Sequence, residues 1–508
     1  MNTQTPRRLI NNAECSRWLS LVVQKRPDLL DWASSLHPQT LACHFEGGFL
    51  HGSYNLGQKV MFSDGTTQWL VRFPLQGHVC PQFADEKVAM EVETMRLIRE
   101  RTTVPVPDIK HWGLAADNPL GLGPFIIMDF VPGVPLESVL CNPDADHHFR
   151  LIREDISDDT MAFLYRQFAA IQLQLFKLDV GDRIGSLPAT QTGFRAPVRP
   201  LTFKAHDIMQ TGGVDVFGDR GGGFLSPTDY FQYVLQQDWA QLLAQPNAVG
   251  GDSDARTKYE CLRVLETLLP RFVYPGCEDV DNDAGRCKLV CDDLSLANVI
   301  VRSKDDLTIA GLVDLEWSYA GPAQLAGSAP WWLLGIRLNN VDTYYDKDHP
   351  ATTARFLRYL EIYQRVLREE EENLEEKEEE KEGGEGSQEQ KEENEKKRLP
   401  TRQGTTLSEL VAWSATSGAM WLHMLLLCGF NHPDSLPFVQ LQQHVGTDTW
   451  KKRQRQHRGP AVDAFVERKL RQLEQYEKRE DRALMLKEHL DQGSLGSETF
   501  AAELAALL

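Results

Sequence analysis

The sequence predicts an α+β protein whose strands are concentrated in the first third and whose helices fill most of the rest. Two strand patterns, Lys59–Phe62 and Gln68–Phe73, flank the turn signal Ser63–Gly65, which is typical of a hairpin. Apolar residues recur at helical spacing further along, as in Ala461–Leu490, and this favours helices. The stretch Lys288–Trp317 combines a buried strand, a polar loop and a second hairpin. This stretch contains the candidate functional residues.

Composition limits the class of partner. The chain has 508 residues, 42% of them hydrophobic, and a formal net charge of −19, which allows sizeable cores. The tract Glu369–Arg398 holds fifteen glutamates against six lysines or arginines. Because it has almost no apolar residues, we expect a solvated insertion there, a helix extension followed by a disordered loop. No broad basic surface can be read from the sequence, so we expect no nucleic-acid partner.

Cysteine usage and targeting signals point to a reducing compartment. The nine cysteines include no CxxC pair, and we interpret them as free thiols. The N-terminus lacks the apolar core of a signal peptide, so we expect a cytoplasmic location. Only Val411–Phe430 runs uncharged for a membrane-spanning length. Its hydroxyl residues and His423 favour a buried helix, and we expect no membrane partner.

The first part of the chain carries features that suit phosphate binding. The segment His44–Asn55 is rich in glycine, and we interpret it as a loop whose unobstructed backbone N–H groups can approach phosphates; an ordinary turn is the alternative. The following helix, Asp85–Arg101, places Glu91 on its apolar stripe. A buried carboxylate needs a cationic partner, and Arg72 on the preceding strand is the candidate. Glu91 could instead reach solvent at the edge of the stripe.

Further elements follow in order. The apolar strand Pro124–Val131 runs into an open connector where an adenine could hydrogen-bond to backbone. Helical patterns then occupy Asp158–Phe176, Pro227–Leu243, Arg256–Leu269 and Ala351–Glu370, and resume from about Leu407.

Three polar residues mark the stretch Lys288–Trp317. Asp293 lies in the polar loop, Asn298 precedes the hairpin arm Val299–Val301, and Asp314 closes the other arm, Leu307–Val313. A carboxylate and a carboxamide can hold Mg²⁺ while a second carboxylate orients a hydroxyl for attack on phosphorus. The alternative is that these residues only cap turns.

Taken together and in chain order, these motifs resemble the aminoglycoside phosphotransferase family of the protein-kinase-like superfamily, above all its fungal branch. The motifs that carry the resemblance are Gly52-Ser53-Tyr54-Asn55, Val71-Arg72-Phe73-Pro74, Glu91–Met95, Thr103–Pro107, Pro124–Met128, Ile184–Leu187, Cys291–Leu294 with Asn298, and Val313–Trp317. They span roughly residues 45 to 335.

The resemblance implies a two-lobed kinase-like fold, with a small β-rich N-lobe containing one key helix and a large, mainly helical C-lobe. The implied organisation is a helical extension (1–40), the N-lobe (41–131), the C-lobe with the catalytic and metal loops (132–368), the acidic insertion (369–400) and helices that complete the C-lobe (401–508).

The resemblance also implies that ATP and Mg²⁺ bind between the lobes. Asp293 would be the catalytic base, and Asn298 and Asp314 the metal ligands. The nucleotide would contact the loop Gly52, Ser53, Tyr54 and Asn55, the pair Arg72 and Glu91, and the connector Met128, Asp129, Phe130 and Val131. The sequence departs from the family pattern at two positions. Cys291 replaces the family's usual histidine, and Arg72 replaces its usual lysine; arginine differs from lysine in reach and geometry.

The expected activity is transfer of the γ-phosphoryl group of ATP to a hydroxyl of an unidentified small molecule. We expect this acceptor near Trp331, Trp332 and the loop Thr211–Phe224. A catalytically weak kinase-like scaffold that acts through protein partners is the alternative, favoured by Cys291 and Arg72. A protein kinase is disfavoured, because the chain reaches Gly321-Pro322 soon after Asp314 and leaves no room for a long activation segment.

Overall fold

The N-terminal part of the chain is built on an antiparallel sheet and the rest is mainly helical, which confirms the predicted α+β class. A computed structural model describes residues 3–142, 151–187, 199–275, 287–340, 350–383 and 405–508. Much of the acidic tract and part of the loops before strand 287–291 and after residue 340 therefore lie outside the described residues.

The N-terminal sheet has five strands in the spatial order β1-β2-β3-β5-β4. Their bounds are β1 Cys43–His51, β2 Asn55–Phe62, β3 Gln68–Pro74, β4 Ile109–Gly113 and β5 Phe125–Asp129. Val71 and Ile127 on one face pack against two N-terminal helices, α1 (Thr5–Gln24) and α2 (Arg26–Leu36). Ile126 and Met128 on the other face join the large core with helix α3 (Pro81–Arg101). Because neighbours alternate in a strand, Arg72 faces α3, as predicted.

The glycine-rich segment is a strand, and the interpretation of all of His44–Asn55 as a loop is wrong. Residues as far as His51 pair with β2, for example Phe49 with Gln58. Gly47 has φ +73°, and the pairing register shifts between Phe45 and Phe49. Between these pairs β1 has two more residues than β2, and a bulge accommodates them without ending the strand. The predicted loop is reduced to the turn around Gly52–Tyr54.

Helix α3 begins four residues before the predicted start. Pro81 occupies its first turn, where a missing N–H is not needed and the fixed φ suits a helix. The helix ends at Arg101, shortly before Pro105 and Pro107, as the proline positions predict.

The C-terminal part is a helical body with two small sheets. One sheet pairs β7 (Cys287–Cys291) with β10 (Ser318–Pro322), and the other has the order β6-β8-β9, formed by Val134–Pro135, Val299–Val301 and Ile309–Leu312. The described helices are α4 Leu136–Leu140, α5 Asp158–Phe176, α6 Phe203–Gly212, α7 Pro227–Ala244, α8 Asp252–Leu268, α9 Ala323–Ala326, α10 Pro350–Gly383, α11 Leu407–Thr416, α12 Ala419–Cys428, α13 Leu436–Val445, α14 Thr447–Gln456, α15 Pro460–Asp491 and α16 Ser497–Ala505.

Helix α10 and the apolar run Val411–Phe430 also depart from the sequence prediction. Helix α10 continues past Glu370 to Gly383, so the first part of the acidic tract is the expected helix extension. The apolar run Val411–Phe430 is divided between α11 and α12, and Gly418 at the break has φ +76°. In the described part of the chain no single helix is long and apolar enough to cross a membrane. Helices α11 and α12 reach that length and apolarity only as a pair, and the pair is bent by 95°.

Helix α1 ties distant parts of the chain together. The Gln4 backbone N–H donates to Thr211 O (3.0 Å) and Asn11 Nδ2 donates to Gln210 O (3.2 Å), both in α6. The Thr5 backbone N–H donates to Tyr476 Oη in α15 (2.9 Å). At Gly77, α1 approaches so closely that a Cβ would lie 2.2 Å from Asn11 O. The α1 contact therefore requires glycine there.

We predict that Gly77→Ala destabilises the protein by ~1–2 kcal/mol for its positive φ (+83°) and by a further ~1–3 kcal/mol for the overlap with α1. Gly65→Ala is the matched control, because Gly65 has φ +73° but a Cβ added there would meet no other atom within 4 Å. Urea unfolding measures both losses. Equal losses in the two variants would contradict the close approach of α1.

Candidate active site

The β8–β9 hairpin brings the two halves of the Lys288–Trp317 stretch together. Val299 pairs with Leu312, and the Val313 N–H donates to Asn298 O (2.9 Å). Asn298 Nδ2 donates to Asp293 O (2.9 Å). The predicted hairpin thus holds Asp293, Asn298 and Asp314 at one end, since strand pairing fixes where each arm stops.

On the side of the N-terminal sheet, Arg72 connects β3 to both α3 and the loop that follows β9. Its guanidinium forms a buried ion pair with Glu91, and Nη1 donates to Asp314 Oδ1 at 2.9 Å. The pairing of Arg72 with Glu91 follows from the sequence pattern, and the contact with Asp314 does not. A buried carboxylate is costly without such a partner.

Asp314 has an unusual backbone and electrostatic environment. Its φ is +58°, in the left-handed region that non-glycine residues seldom adopt, and such strain is common at functional sites. Burial, and then the negative charge of Glu316, raise the pKa of Asp314, which Arg72 only partly offsets. A cation placed beside Asp314 would relieve this repulsion.

Sequence reasoning missed a second buried ion pair, between Lys87 of α3 and Glu316. Asn55 links both partners: its Oδ1 accepts from Lys87 Nζ (3.0 Å) and its Nδ2 donates to Glu316 Oε2 (2.7 Å). Burial alone would raise the pKa of Glu316, but the charges of Lys87 and Arg72 lower it overall. One signal was available: Lys87 lies four residues before Glu91 and so on the same face of α3.

Glu91, Asp314 and Glu316 together could hold a cation. Each offers a carboxylate oxygen, and these oxygens lie within 4.8 Å of one another. Carboxylates are the ligands that Mg²⁺ prefers, so the donor set fits the predicted metal. It differs from the predicted pair Asn298 and Asp314, because Glu91 and Glu316 join Asp314 while the Asn298 amide nitrogen holds the Asp293 loop.

Asp293, the predicted base, is paired with a cation that the sequence did not indicate. Arg337 Nη2 lies 3.2 Å from Asp293 Oδ1, and the Asp293 side chain is 30% exposed. Burial raises the pKa of Asp293, and the positive charge of Arg337 opposes that shift. Forty-four residues separate the two, so no local spacing could have predicted their contact.

Cys291 behaves as a structural residue. It pairs with Ser318 across the β7–β10 ladder, and burial raises the pKa of its thiol to about 11. A thiol with so high a pKa remains protonated at neutral pH and is a poor nucleophile.

The four predicted nucleotide-loop residues point in different directions. Gly52 and Ser53 are exposed at the turn. The Tyr54 ring packs edge-on against Phe203 of α6 and Trp317, with centroid distances of 5.9 and 5.4 Å. Asn55 is buried between Lys87 and Glu316. Of the four, only Gly52 and Ser53 are exposed, and the Gly52 N–H already donates to Asn55 O (2.9 Å).

The predicted adenine connector is partly occupied by protein contacts. Met128 is buried in the core. The backbone N–H groups of Asp129 and Phe130 donate to Asp108 O (2.9 Å) and Gln68 O (3.0 Å). Among these connector residues, carbonyl groups and Val131 are therefore the better candidates for contact with a base.

The residues expected near the phosphoryl acceptor do not all lie beside Asp293. Trp332 is buried and stacks on Phe168 with a centroid distance of 4.4 Å, so it belongs to the core. Trp331 is half-buried and packs on Arg337 beside Asp293. In the loop Thr211–Phe224, Arg220 binds both oxygens of Glu86 on α3 (2.7 and 2.5 Å) and connects the lobes.

We predict that Lys87→Met destabilises the protein by ~3–5 kcal/mol, because it leaves the buried Glu316 carboxylate without its cation. Adding Glu316→Gln should recover part of the loss by removing the unpaired charge. Lys25→Met is the control, since Lys25 pairs with Asp28 on the surface. This variant should lose less than ~1 kcal/mol of unfolding free energy. Chemical denaturation measures all three; equal losses in the two lysine variants would refute the buried pair.

The chain has a distant curated relative. It is 28% identical over 260 residues to clavilactone A biosynthesis cluster protein Y of Ampulloclitocybe clavipes, covering 49% of this chain and 53% of that protein. The chain thus spans about half the length of the curated relative it matches. No protein-family model matches the chain.

One similar solved structure is a candidate aminoglycoside phosphotransferase from Ralstonia eutropha, with 13% identity, coverage of 89% of this chain and 98% of that chain, and a TM-score of 0.38. An ethanolamine kinase of Plasmodium vivax has 12% identity, coverage of 67% and 78%, and a TM-score of 0.34. Aminoglycoside phosphotransferase APH(4)-Ia has 12% identity, coverage of 64% and 89%, and a TM-score of 0.33. At these identities and TM-scores the likeness says nothing about the activity of this chain. Two of these three structures are aminoglycoside phosphotransferases by name, the family that the motifs resemble.

Proposed function

We propose that the protein is a small-molecule kinase that transfers the γ-phosphoryl group of ATP to a hydroxyl group with Mg²⁺ as cofactor. The observation that carries the proposal is that Asp293, Asn298 and Asp314 lie together at the end of the β8–β9 hairpin, where Asp314 contacts the Arg72–Glu91 pair. Loose phosphoryl-transfer transition states need positioning and charge neutralisation more than covalent chemistry. Carboxylates, an amide and a guanidinium supply both.

Each residue has a distinct role in this proposal. Asp293 orients the acceptor hydroxyl and takes its proton. Asp314, with Asn298 or with Glu91 and Glu316, holds Mg²⁺, which when bound neutralises charge on the phosphate oxygens. Arg72 binds the α- and β-phosphates, and Glu91 keeps its guanidinium oriented. Gly52, Ser53 and the connector at Val131 border the nucleotide.

A non-catalytic scaffold is the second candidate, and one observation favours it. Arg72 already pairs with Glu91 and Asp314, and Lys87 pairs with Glu316. A cleft closed by its own ion pairs could hold the lobes together without turnover. The two candidates differ in whether MgATP is bound and hydrolysed.

For a kinase, we predict that wild-type protein binds ATP only with Mg²⁺ and that Asp314→Asn weakens this binding by roughly 10-fold or more, ~1.4 kcal/mol, because a metal ligand loses its charge. Isothermal titration with a non-hydrolysable ATP analogue, with and without Mg²⁺, measures it. Asp305→Asn, at the exposed turn of the same hairpin, is the control. An Asp314→Asn variant with unchanged Mg²⁺ dependence removes Asp314 from the metal site.

We further predict that Asp293→Asn lowers slow ATP hydrolysis by about 10²–10⁴-fold while the dissociation constant of MgATP changes little, because the base contacts the acceptor and not the nucleotide. Phosphate release measures turnover, with Asp305→Asn again as control. Wild-type protein that shows neither Mg²⁺-dependent ATP binding nor ATP hydrolysis favours the scaffold.

A further inference from the structure

Arg337 occupies a rigid position beside the catalytic loop. It follows the 3₁₀ turn Trp331–Leu334 and lies between Ile336 and Leu338, both buried in the large core. Its own side chain is 11% exposed. Because its neighbours are fixed by packing, Arg337 is held against the loop without help from a ligand.

The guanidinium of Arg337 binds the loop through both backbone and side chain. Nη2 donates to Asp292 O at 2.6 Å and to Asp293 Oδ1 at 3.2 Å. Nη1 faces Cys428 Sγ of α12 at 3.6 Å. One nitrogen thus fixes the loop carbonyl and the adjacent carboxylate relative to each other, and the other anchors the group to a helix of the C-terminal body.

Aromatic rings fix the plane of this guanidinium. The Trp331 ring centroid lies 4.4 Å and the Phe203 centroid 5.1 Å from Cζ. A guanidinium packed on aromatic faces gains cation–π attraction and loses rotational freedom. The direction of the Nη2–Oδ1 bond is therefore set before any substrate arrives.

We propose that Arg337 is the positioning residue of the catalytic base. It holds Asp293 Oδ1, so that Oδ2 is the oxygen that accepts the hydrogen bond, and then the proton, of the acceptor hydroxyl. This inference rests on the proposed kinase function. A base held in one orientation contributes to catalysis through placement, and misplacement by about 1 Å can cost on the order of 10²-fold in rate. The charge of Arg337 also reduces repulsion between the Asp293 carboxylate and the phosphates.

The role predicts a separation of turnover from nucleotide binding. Arg337→Ala should lower the rate of MgATP hydrolysis, with water as acceptor, by on the order of 10²-fold, while the dissociation constant of MgATP stays within roughly 3-fold. Arg337→Lys should recover part of the rate, since lysine keeps the charge but lacks the planar fork. Added guanidinium chloride at millimolar concentration should raise the rate of Arg337→Ala by filling the space between Trp331 and Phe203.

Arg302→Ala is the matched control, because Arg302 is an exposed arginine on the β8–β9 hairpin that pairs with Asp306; its rate should equal that of the wild type. Thermal unfolding shows whether Arg337→Ala is folded, and if it is not, Arg337→Lys carries the test. A rate unchanged in the Arg337 variants, or one lost without recovery by lysine or guanidinium, overturns the positioning role. A wild type that does not hydrolyse MgATP overturns the proposed function instead.

Discussion

The balance of charge in the cleft is the constraint on which the rest of the structure depends. Three carboxylates, from Glu91, Asp314 and Glu316, meet two buried cations, from Arg72 and Lys87. These groups come from strand β3, helix α3 and the loop after β9. Buried charges are tolerated only when paired, so the sheet, helix α3 and the helical body must dock in one arrangement to satisfy them.

This balance also explains why the site suits a divalent cation. Burial, and then the charge of Glu316, raise the pKa of Asp314 more than Arg72 and Lys87 lower it, and added positive charge would favour its ionised form. A metal ion among these oxygens would then add to the neutralisation that Arg72 and Lys87 provide. In the proposed kinase, Arg72 would become available for phosphate while Glu91 kept it oriented.

The sequence was informative where a pattern acts locally. Helical periodicity placed Glu91 on the buried face of α3, and strand alternation turned Arg72 toward it. Pairings that depend on how distant segments dock were not predictable: Lys87 meets Glu316 across the cleft, and Arg337 reaches Asp293 from another part of the helical body. Glycines misled the prediction twice, because Gly47 forms a bulge within a strand and Gly418 bends an apolar run that composition alone makes continuous.

Helix α1 has a consequence for the biogenesis of the protein. Thr5 contacts Tyr476, 471 residues later, and the Thr5 hydroxyl also donates to Glu480, while the same helix packs on the N-terminal sheet through Trp18. A ribosome must therefore synthesise everything between these residues before α1 can complete its contacts. Pairings of such long sequence separation form slowly, so the contacts between α1 and α15 are among the last that the chain can complete during synthesis.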